Sequence, residues 1–137
     1  LYKAVKAGVK VNLIIRGILT LKNVNEKNAG KINSISIVDQ YLEHARVIIF
    51  NNKGNQKVFI SSADWMVRNL DHRIEVAVPI VDPVIKKELI DIIHIQLKDN
   101  QKARILDIDL SNKYVPSEKA SRFKSQEETY KFLKGKR

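Results

Sequence analysis

The densest group of chemically versatile side chains lies at residues 43–46, Glu-His-Ala-Arg, directly before an apolar segment that is typical of a buried strand. If this stretch is extended, His44 and Arg46 share a face, because side chains alternate along a strand. An arginine binds two phosphate oxygens at once, and a histidine acts as nucleophile, acid or base near neutral pH. The pair therefore indicates chemistry on phosphate groups.

A predicted β-hairpin brings a second polar string next to this pair. Apolar segments at 47–50 and 58–61 flank Asn-Asn-Lys-Gly-Asn, which favours a turn, so the two segments are predicted to be antiparallel strands. Antiparallel pairing places the start of the first strand beside the end of the second. The side chains expected near His44 and Arg46 are Ser61, Ser62, Asp64 and, a few residues further on, Asn69. The hydroxyl and amide groups would donate hydrogen bonds to phosphate oxygens, with the carboxylate in a supporting role.

Arg16 is a candidate for a second phosphate clamp. It follows a predicted strand at 9–15, and ligands commonly bind at the carboxyl ends of strands in open α/β sheets. Taken singly, each candidate also has an ordinary explanation. A histidine beside an arginine is more often a surface feature, an isolated arginine is more often solvated, and Ser-Ser-Ala-Asp is a common helix-capping string. The combination is what favours a functional site.

The elements that must position these residues alternate between strand and helix. Strands are predicted at 9–15, 35–38, 47–50, 58–61, 74–79 and 103–108, and helices at 1–7, 82–97 and 126–133. Asp82 and Pro83 are the expected cap and first residue of the second helix, and Asp39 is expected to cap a helical turn through Leu42. The polar segment 22–33 is predicted to be a basic loop. This order indicates an α/β fold with a mixed sheet flanked by helices in a single domain.

Composition bounds the function further. The chain has 137 residues with 25 Lys and Arg against 15 Asp and Glu, a net charge of +10 that favours polyanionic partners. Half of this charge follows residue 112, so we expect a domain over 1–112 and a basic, partly helical extension over 113–137. No cysteine and no membrane-spanning apolar run are present, which excludes disulfides and fits a cytoplasmic protein, with membrane association left open. Because the chain opens on Leu1, we expect a fragment of a longer protein.

Seven short sequence strings follow one another along residues 1–110. They are G-V-K-V at 8–11, L-I-I-R-G-I at 13–18, I-S-I-V at 35–38, Y-L-E-H-A-R at 41–46, I-S-S-A-D-W-M at 60–66, R-N-L-D at 68–71 and R-I-E-V-A at 73–77. Together they resemble the C-terminal catalytic domain of the bacterial polyphosphate kinase family. The His-x-Arg and Ser-Ser-Ala-Asp strings also resemble the second His-x-Lys half of phospholipase D-like folds.

This resemblance implies an ATP:polyphosphate phosphotransferase, which reversibly transfers the terminal phosphate of ATP to inorganic polyphosphate with Mg²⁺. A phosphohistidine would form on a preceding catalytic domain outside this chain, so the isolated chain is expected to be inactive. Arg16 and His44 would contact ATP, and His44 would polarise or protonate phosphate oxygens opposite the nucleophile. The resemblance also implies a homo-oligomer, with ATP, ADP and polyphosphate as partners. No metal site is expected among the residues of this chain.

Two other functions stay open at this level. One is a phospholipase D-like phosphodiesterase half-site, although that chemistry uses two matched His-x-Lys strings and this chain has one, with Arg46 in the place of lysine. The other is a non-catalytic module that binds polyanions through the basic surface. Neither a specific nucleic-acid partner nor a transmembrane segment is expected.

Overall fold

The chain divides into two compact units, and the domain boundaries expected from the sequence stay a prediction. The computed structural model describes residues 1–21, 32–107, 109, 111–116 and 121–136. Unit 1 comprises Leu1–Leu42 and Ile95–Arg137, and unit 2 comprises Glu43–His94. Each unit has its own three-stranded sheet, because the segment 38–46 forms neither helix nor strand and does not continue the first sheet into the second. The predicted α/β class is confirmed, and the expectation of one continuous sheet is corrected.

Four α-helices and six β-strands lie in the described part of the chain, together with a short 3₁₀ helix at Asn52–Gly54. In chain order they are α1 (Tyr2–Lys6), β1 (Val11–Ile14), β2 (Ile32–Ile37), β3 (Val47–Phe50), β4 (Lys57–Ser61), α2 (Val67–Leu70), β5 (Ala77–Ile80), α3 (Pro83–Leu97), β6 (Ala103–Ile105) and α4 (Ser125–Lys134). None of these helices combines the length and apolar composition that a membrane span requires. Most of the predicted loop at 22–33 lies outside the described residues, but its last two residues are in β2.

The sheet of unit 1 is mixed, as the sequence predicted for the fold. Its central strand β2 runs parallel to β1 and antiparallel to β6. The buried residues Ile35, Ile37 and Ala103 form the hydrophobic core of this unit. Partly buried side chains that pack against them come from β1, α3 and the segment after β6: Ile14, Leu97 and Val115.

Asp99 joins the start of β6 to the start of α4. Asp99 is 1% exposed. Its Oδ1 accepts hydrogen bonds from the backbone N–H groups of Lys102 (2.6 Å) and Ala103 (3.0 Å). Its Oδ2 accepts one from Ser125 N (2.7 Å). A helix leaves its first N–H groups without partners, and α4 has no capping side chain at its own N-cap. Asp99 therefore supplies the cap from a distant loop and ties residues beyond 112 into unit 1.

We predict that Asp99→Asn lowers the free energy of unfolding by about 3 kcal/mol, because several buried N–H groups lose a charged acceptor. Burial, the largest influence, raises the pKa of Asp99, but the hydrogen bonds from Ser125, Lys102 and Gln101 outweigh it and lower the pKa. Ionised Asp99 therefore contributes fully to the free energy of unfolding above the ordinary aspartate pKa of about 4. This stabilisation is lost as the pH falls through the lower pKa that Asp99 has in the folded chain. Thermal melts from pH 7 to pH 2 test this.

The matched control for this prediction is Asp71→Asn, which replaces an exposed carboxyl. The control should have the same melting temperature as the unsubstituted chain at every pH. The account of Asp99 is wrong if Asp99→Asn melts like the control at pH 7, or if the difference between the two variants grows as the pH is lowered.

The hairpin predicted in unit 2 is confirmed. β4 pairs antiparallel with β3 on one side and with β5 on the other. The turn between β3 and β4 contains three successive residues with positive φ, namely Asn52, Lys53 and Gly54, a conformation that asparagine and glycine adopt more easily than other residues. Val58, the second residue of β4, is buried and pairs with Ile49 of β3 and Ile80 of β5.

The two predicted helix caps have different outcomes. Asp82 caps α3 as expected, because its Oδ1 accepts hydrogen bonds from Val84 N (2.8 Å) and Ile85 N (2.9 Å). Asp39 caps no helix, since residues 39–42 are not helical. Its carboxylate instead lies 3.4 Å from the Nζ of Lys124, a charged partner that requires no helical turn.

Candidate active site

Three chain segments of unit 2 meet at one end of its sheet. Ser61 N donates to the carbonyl oxygen of Arg46 (2.9 Å), which extends the hairpin pairing one residue beyond β3. Ser62 N donates to the carbonyl oxygen of Val76 (3.0 Å), which brings in the segment before β5. The residues before β3, after β4 and before β5 are therefore adjacent. The predicted hairpin already placed the start of β3 beside the end of β4.

Arg46 is held by Asp64 across this end of the sheet. Its Nε donates to Asp64 Oδ1 at 2.8 Å, and both side chains are partly exposed. The hydrogen bond between them is the main cause that raises the pKa of Arg46 and lowers the pKa of Asp64. The pair keeps the guanidinium of Arg46 in one orientation, and the supporting role expected for Asp64 stays a prediction.

Arg46 also contacts the imidazole of His44. Its Nη2 lies 2.9 Å from His44 Nε2. Because a guanidinium donates hydrogen bonds and accepts none, Nε2 must be the acceptor and the proton of the neutral ring must be on Nδ1. In this arrangement the lone pair of Nε2 is already engaged. If His44 is to donate a proton from Nε2, it must first take one up there and lose the contact with Arg46.

A second network around Glu75 was missed by the sequence analysis. Glu75 accepts hydrogen bonds from Ser62 Oγ and from Asn69 Nδ2, the latter at 2.8 Å. The bond from Ser62, followed by the bond from Asn69, lowers the pKa of Glu75. The residue was assigned to a strand at 74–79, but β5 begins only at Ala77, which leaves Glu75 in the irregular segment facing Ser62. The sequence offered one indication of this role, namely that Glu75 is the only carboxylate in the otherwise apolar segment 74–80.

This network engages Ser62 and Asn69, two of the three neutral side chains expected to donate hydrogen bonds to phosphate. Ser62 Oγ donates to Glu75 and accepts from Val76 N at 3.0 Å, and Asn69 is only 3% exposed. Ser61 Oγ accepts from Ala63 N at 3.1 Å. In this structure Ser62 and Asn69 therefore orient Glu75, and they reach a phosphate only if these hydrogen bonds exchange. His44 is exposed and Arg46 is partly exposed, and their role as phosphate contacts stays a prediction.

Arg16 belongs to unit 1. It is exposed and follows β1 by two residues. Its position at the carboxyl end of a strand agrees with the sequence prediction, and its role as a phosphate clamp stays a prediction.

The described residues do not fit a bound magnesium ion. Among them, no three histidine, aspartate or glutamate side chains lie close enough together to hold a metal. The two carboxylates of the site are also engaged, Asp64 by Arg46 and Glu75 by Ser62 and Asn69. Since Mg²⁺ prefers several oxygen ligands at once, no chemical step is assigned to a metal held by these residues.

Comparison with known proteins identifies the family. The family model described as polyphosphate kinase C-terminal domain 2 matches residues 1–126. The chain belongs to this family. The match includes every candidate residue from Arg16 to Asn69 and extends past residue 112, where the sequence analysis had ended the domain.

Individual polyphosphate kinases agree with this assignment. The chain is 51% identical over 134 residues to the polyphosphate kinase of Vibrio parahaemolyticus and 49% identical over 134 residues to that of Escherichia coli. Each alignment covers 98% of this chain, and this chain spans about a fifth of the length of these relatives. The crystal structure of polyphosphate kinase from Porphyromonas gingivalis is 46% identical, with a TM-score of 0.93 over 99% of this chain and 21% of that chain.

We predict that His44 is in the Nδ1–H tautomer, because Arg46 occupies Nε2. Long-range ¹⁵N–¹H correlation spectra of ¹⁵N-histidine-labelled chain at pH 8.5 report the protonated nitrogen directly. Arg46→Leu should remove the preference for this tautomer, whereas substitution of the exposed Arg68 by leucine should leave it unchanged. A His44 with its proton on Nε2 in the unsubstituted chain contradicts the geometry.

Proposed function

We propose that this chain is the C-terminal catalytic part of a polyphosphate kinase, which reversibly transfers the terminal phosphate of ATP to inorganic polyphosphate. The phosphohistidine intermediate would form on a preceding domain, and this chain would contribute ATP and phosphate contacts. The family membership and the identity of about half of all residues to named polyphosphate kinases support this proposal. The phosphodiesterase and the non-catalytic alternatives are not favoured by these relatives.

The observation that carries the proposal is the contact of Arg46 with both Asp64 and His44. Phosphoryl transfer depends mainly on positioned positive charge around the transferred group. Asp64 holds the guanidinium of Arg46 in place, so a phosphate that approaches His44 meets a cation that has already been oriented. The phosphate oxygens would compete with His44 Nε2 for the Nη2 donor of Arg46.

The roles of the other residues follow from this arrangement. When an anionic phosphate takes the donor of Arg46, Nε2 of His44 is released and its imidazole is able to carry a second proton. A protonated His44 then polarises or protonates a phosphate oxygen opposite the nucleophile. Arg16 would clamp another part of the ATP phosphates, and magnesium would enter only as part of the ATP complex. We further propose that the full-length protein is a cytoplasmic homo-oligomer.

The direct test uses the full-length protein that contains this chain. ATP-dependent polyphosphate synthesis should fall about a hundredfold or more in His44→Ala and in Arg16→Ala, the loss expected when acid–base or charge stabilisation is removed. His72→Ala, which removes an exposed histidine of the same unit as His44, serves as the control and should retain full activity. Parent-level activity in both His44→Ala and Arg16→Ala would reduce this chain to a scaffold or product-binding surface.

The isolated 137-residue chain should show no turnover of ATP with polyphosphate, because the proposed nucleophile lies outside it. Binding of polyphosphate to the chain should still be measurable and should weaken steeply between low and high salt, since released counterions drive such binding. Phosphate transfer by the isolated chain at a rate comparable with the full-length protein would contradict the proposed division of labour.

A further inference from the structure

A buried carboxylate at the carboxyl end of β2 lies between two lysine side chains. Asp39 follows β2 by two residues, and its side chain is 4% exposed. The Nζ of Lys124 lies 3.4 Å from Asp39 Oδ2, and the Nζ of Lys102 lies 3.9 Å from Asp39 Oδ1. A carboxylate that is so strongly desolvated needs cationic partners. All three residues belong to unit 1.

The two lysines differ in how far their ammonium groups are already engaged. Lys124 Nζ also lies 3.1 Å from Glu127 Oε1, and its side chain is 23% exposed. The hydrogen bond to Glu127 is the largest influence that raises the pKa of Lys124. The side chain of Lys102 is 43% exposed, and Asp39 is its only acidic partner among the residues that the structure describes. At 3.9 Å Asp39 attracts this ammonium without accepting a hydrogen bond from it, so its donors are available to a ligand.

The backbone that carries this side chain is fixed. The backbone N–H of Lys102 donates to Oδ1 of the buried Asp99 at 2.6 Å, and the next residue, Ala103, pairs with Ile37 of β2. The ammonium at the other end of the side chain is attracted to Asp39. Lys102 is therefore restrained at both ends, and a group that is held in advance loses less entropy when it binds a ligand.

Arg16 lies at the same end of this sheet. β1 and β2 are parallel, and Ile15 N donates to the carbonyl oxygen of Ile35 (2.9 Å), so Arg16 comes level with the end of β2. β6 is antiparallel to β2, which brings its start, and with it Lys102, to this end as well. Because β2 lies between them, the backbones of Arg16 and Lys102 are two strand spacings apart, about 10 Å. Two cations at this separation suit a row of anionic groups better than a single phosphate.

We propose that Lys102 is a phosphate-contact residue of unit 1, which Asp39 positions beside Arg16 to bind a chain of linked phosphates. Both polyphosphate and the triphosphate of ATP are such chains, and an ammonium recognises the anionic oxygens of either. This inference rests on the proposed function, in which Arg16 contacts ATP. It adds a second cation to the substrate contacts of unit 1, where the sequence analysis singled out Arg16 only.

The test uses the full-length protein that contains this chain, with the variants Lys102→Gln, Asp39→Asn and Lys10→Gln. Lys102→Gln keeps a long polar side chain and removes the charge. Lys10→Gln is the matched control, because Lys10 is an exposed lysine directly before β1, at the opposite end of the same sheet. The measurements are the dissociation constants of ATP and of polyphosphate at several salt concentrations, kcat and KM for each substrate, and the melting temperature.

Lys102→Gln should raise the dissociation constant of at least one of the two ligands about tenfold, the loss expected for one charge-assisted contact. Binding of that ligand should also depend less on salt, because one ionic contact is missing. An effect on polyphosphate alone assigns Lys102 to that chain, an effect on ATP alone assigns it to the triphosphate, and an effect on both assigns it to a place that both chains occupy. Lys10→Gln should match the parent in every measurement.

Asp39→Asn separates positioning from net charge. Removal of this carboxylate makes the surface more positive, so net charge alone predicts tighter binding of a phosphate chain. The proposal predicts weaker binding, because the ammonium of Lys102 loses the group that holds it. Tighter binding by Asp39→Asn would overturn the positioning role. If Asp39→Asn fails to fold, Lys102→Gln still decides the contact, since it changes a side chain that is partly exposed.

The inference is overturned if Lys102→Gln binds both ligands as tightly as Lys10→Gln does, while Arg16→Ala shows the loss expected above. In that outcome the proposed function stands. The proposed function fails separately if the full-length protein makes no polyphosphate from ATP. The binding measurements then still decide whether Lys102 contacts a phosphate chain, because they require no turnover.

Discussion

The register of the β3–β4 hairpin determines which side chains meet at the candidate site. Val47 pairs with Ile60, and the backbone bond between Arg46 and Ser61 carries the pairing one residue further. A slip of one residue would turn every side chain of a strand to the opposite face. Arg46 would then lose Asp64, and with it the orientation that brings its guanidinium to His44. The turn residues and the buried Val58 that fix this register are therefore as necessary to the site as the polar residues themselves.

Two kinds of carboxylate organise the chain around this constraint. Asp64 and Glu75 are partly exposed and orient donors at the site, namely Arg46 in one case and Ser62 with Asn69 in the other. Asp99 is buried and collects backbone N–H groups from two elements of unit 1. The pKa of all three is lowered by hydrogen bonding. Of the three, Asp64 alone holds a charged side chain, and it fixes where the guanidinium of Arg46 points.

Local patterns in the sequence predicted the hairpin, the capped helix α3 and the pairing of His44 with Arg46, because each depends on neighbours within a few residues or on one tight turn. Contacts between distant residues gave no such signal. The capping of α4 by Asp99 and the hydrogen bonds between the side chain of Gln126 and the backbone of Tyr41 join residues 26 and 85 positions apart. The division into two units was missed for the same reason, since alternating strands and helices do not reveal where one sheet stops. Asp39 was predicted to cap a neighbouring helical turn, because the sequence does not show that Lys124 lies beside it in the fold.

In the proposed function, Asp64 contributes to phosphate transfer from ATP only by holding the guanidinium of Arg46. The most direct measurement is a double-mutant cycle on kcat/KM for ATP in the full-length protein, with Asp64→Asn, Arg46→Lys and the two combined. Each single variant should lose about tenfold or more, since lysine cannot form the fork and an unheld guanidinium is disordered. The account predicts that the double variant is no worse than Arg46→Lys alone. Losses that multiply in the double variant, or single variants with parent activity, would contradict it.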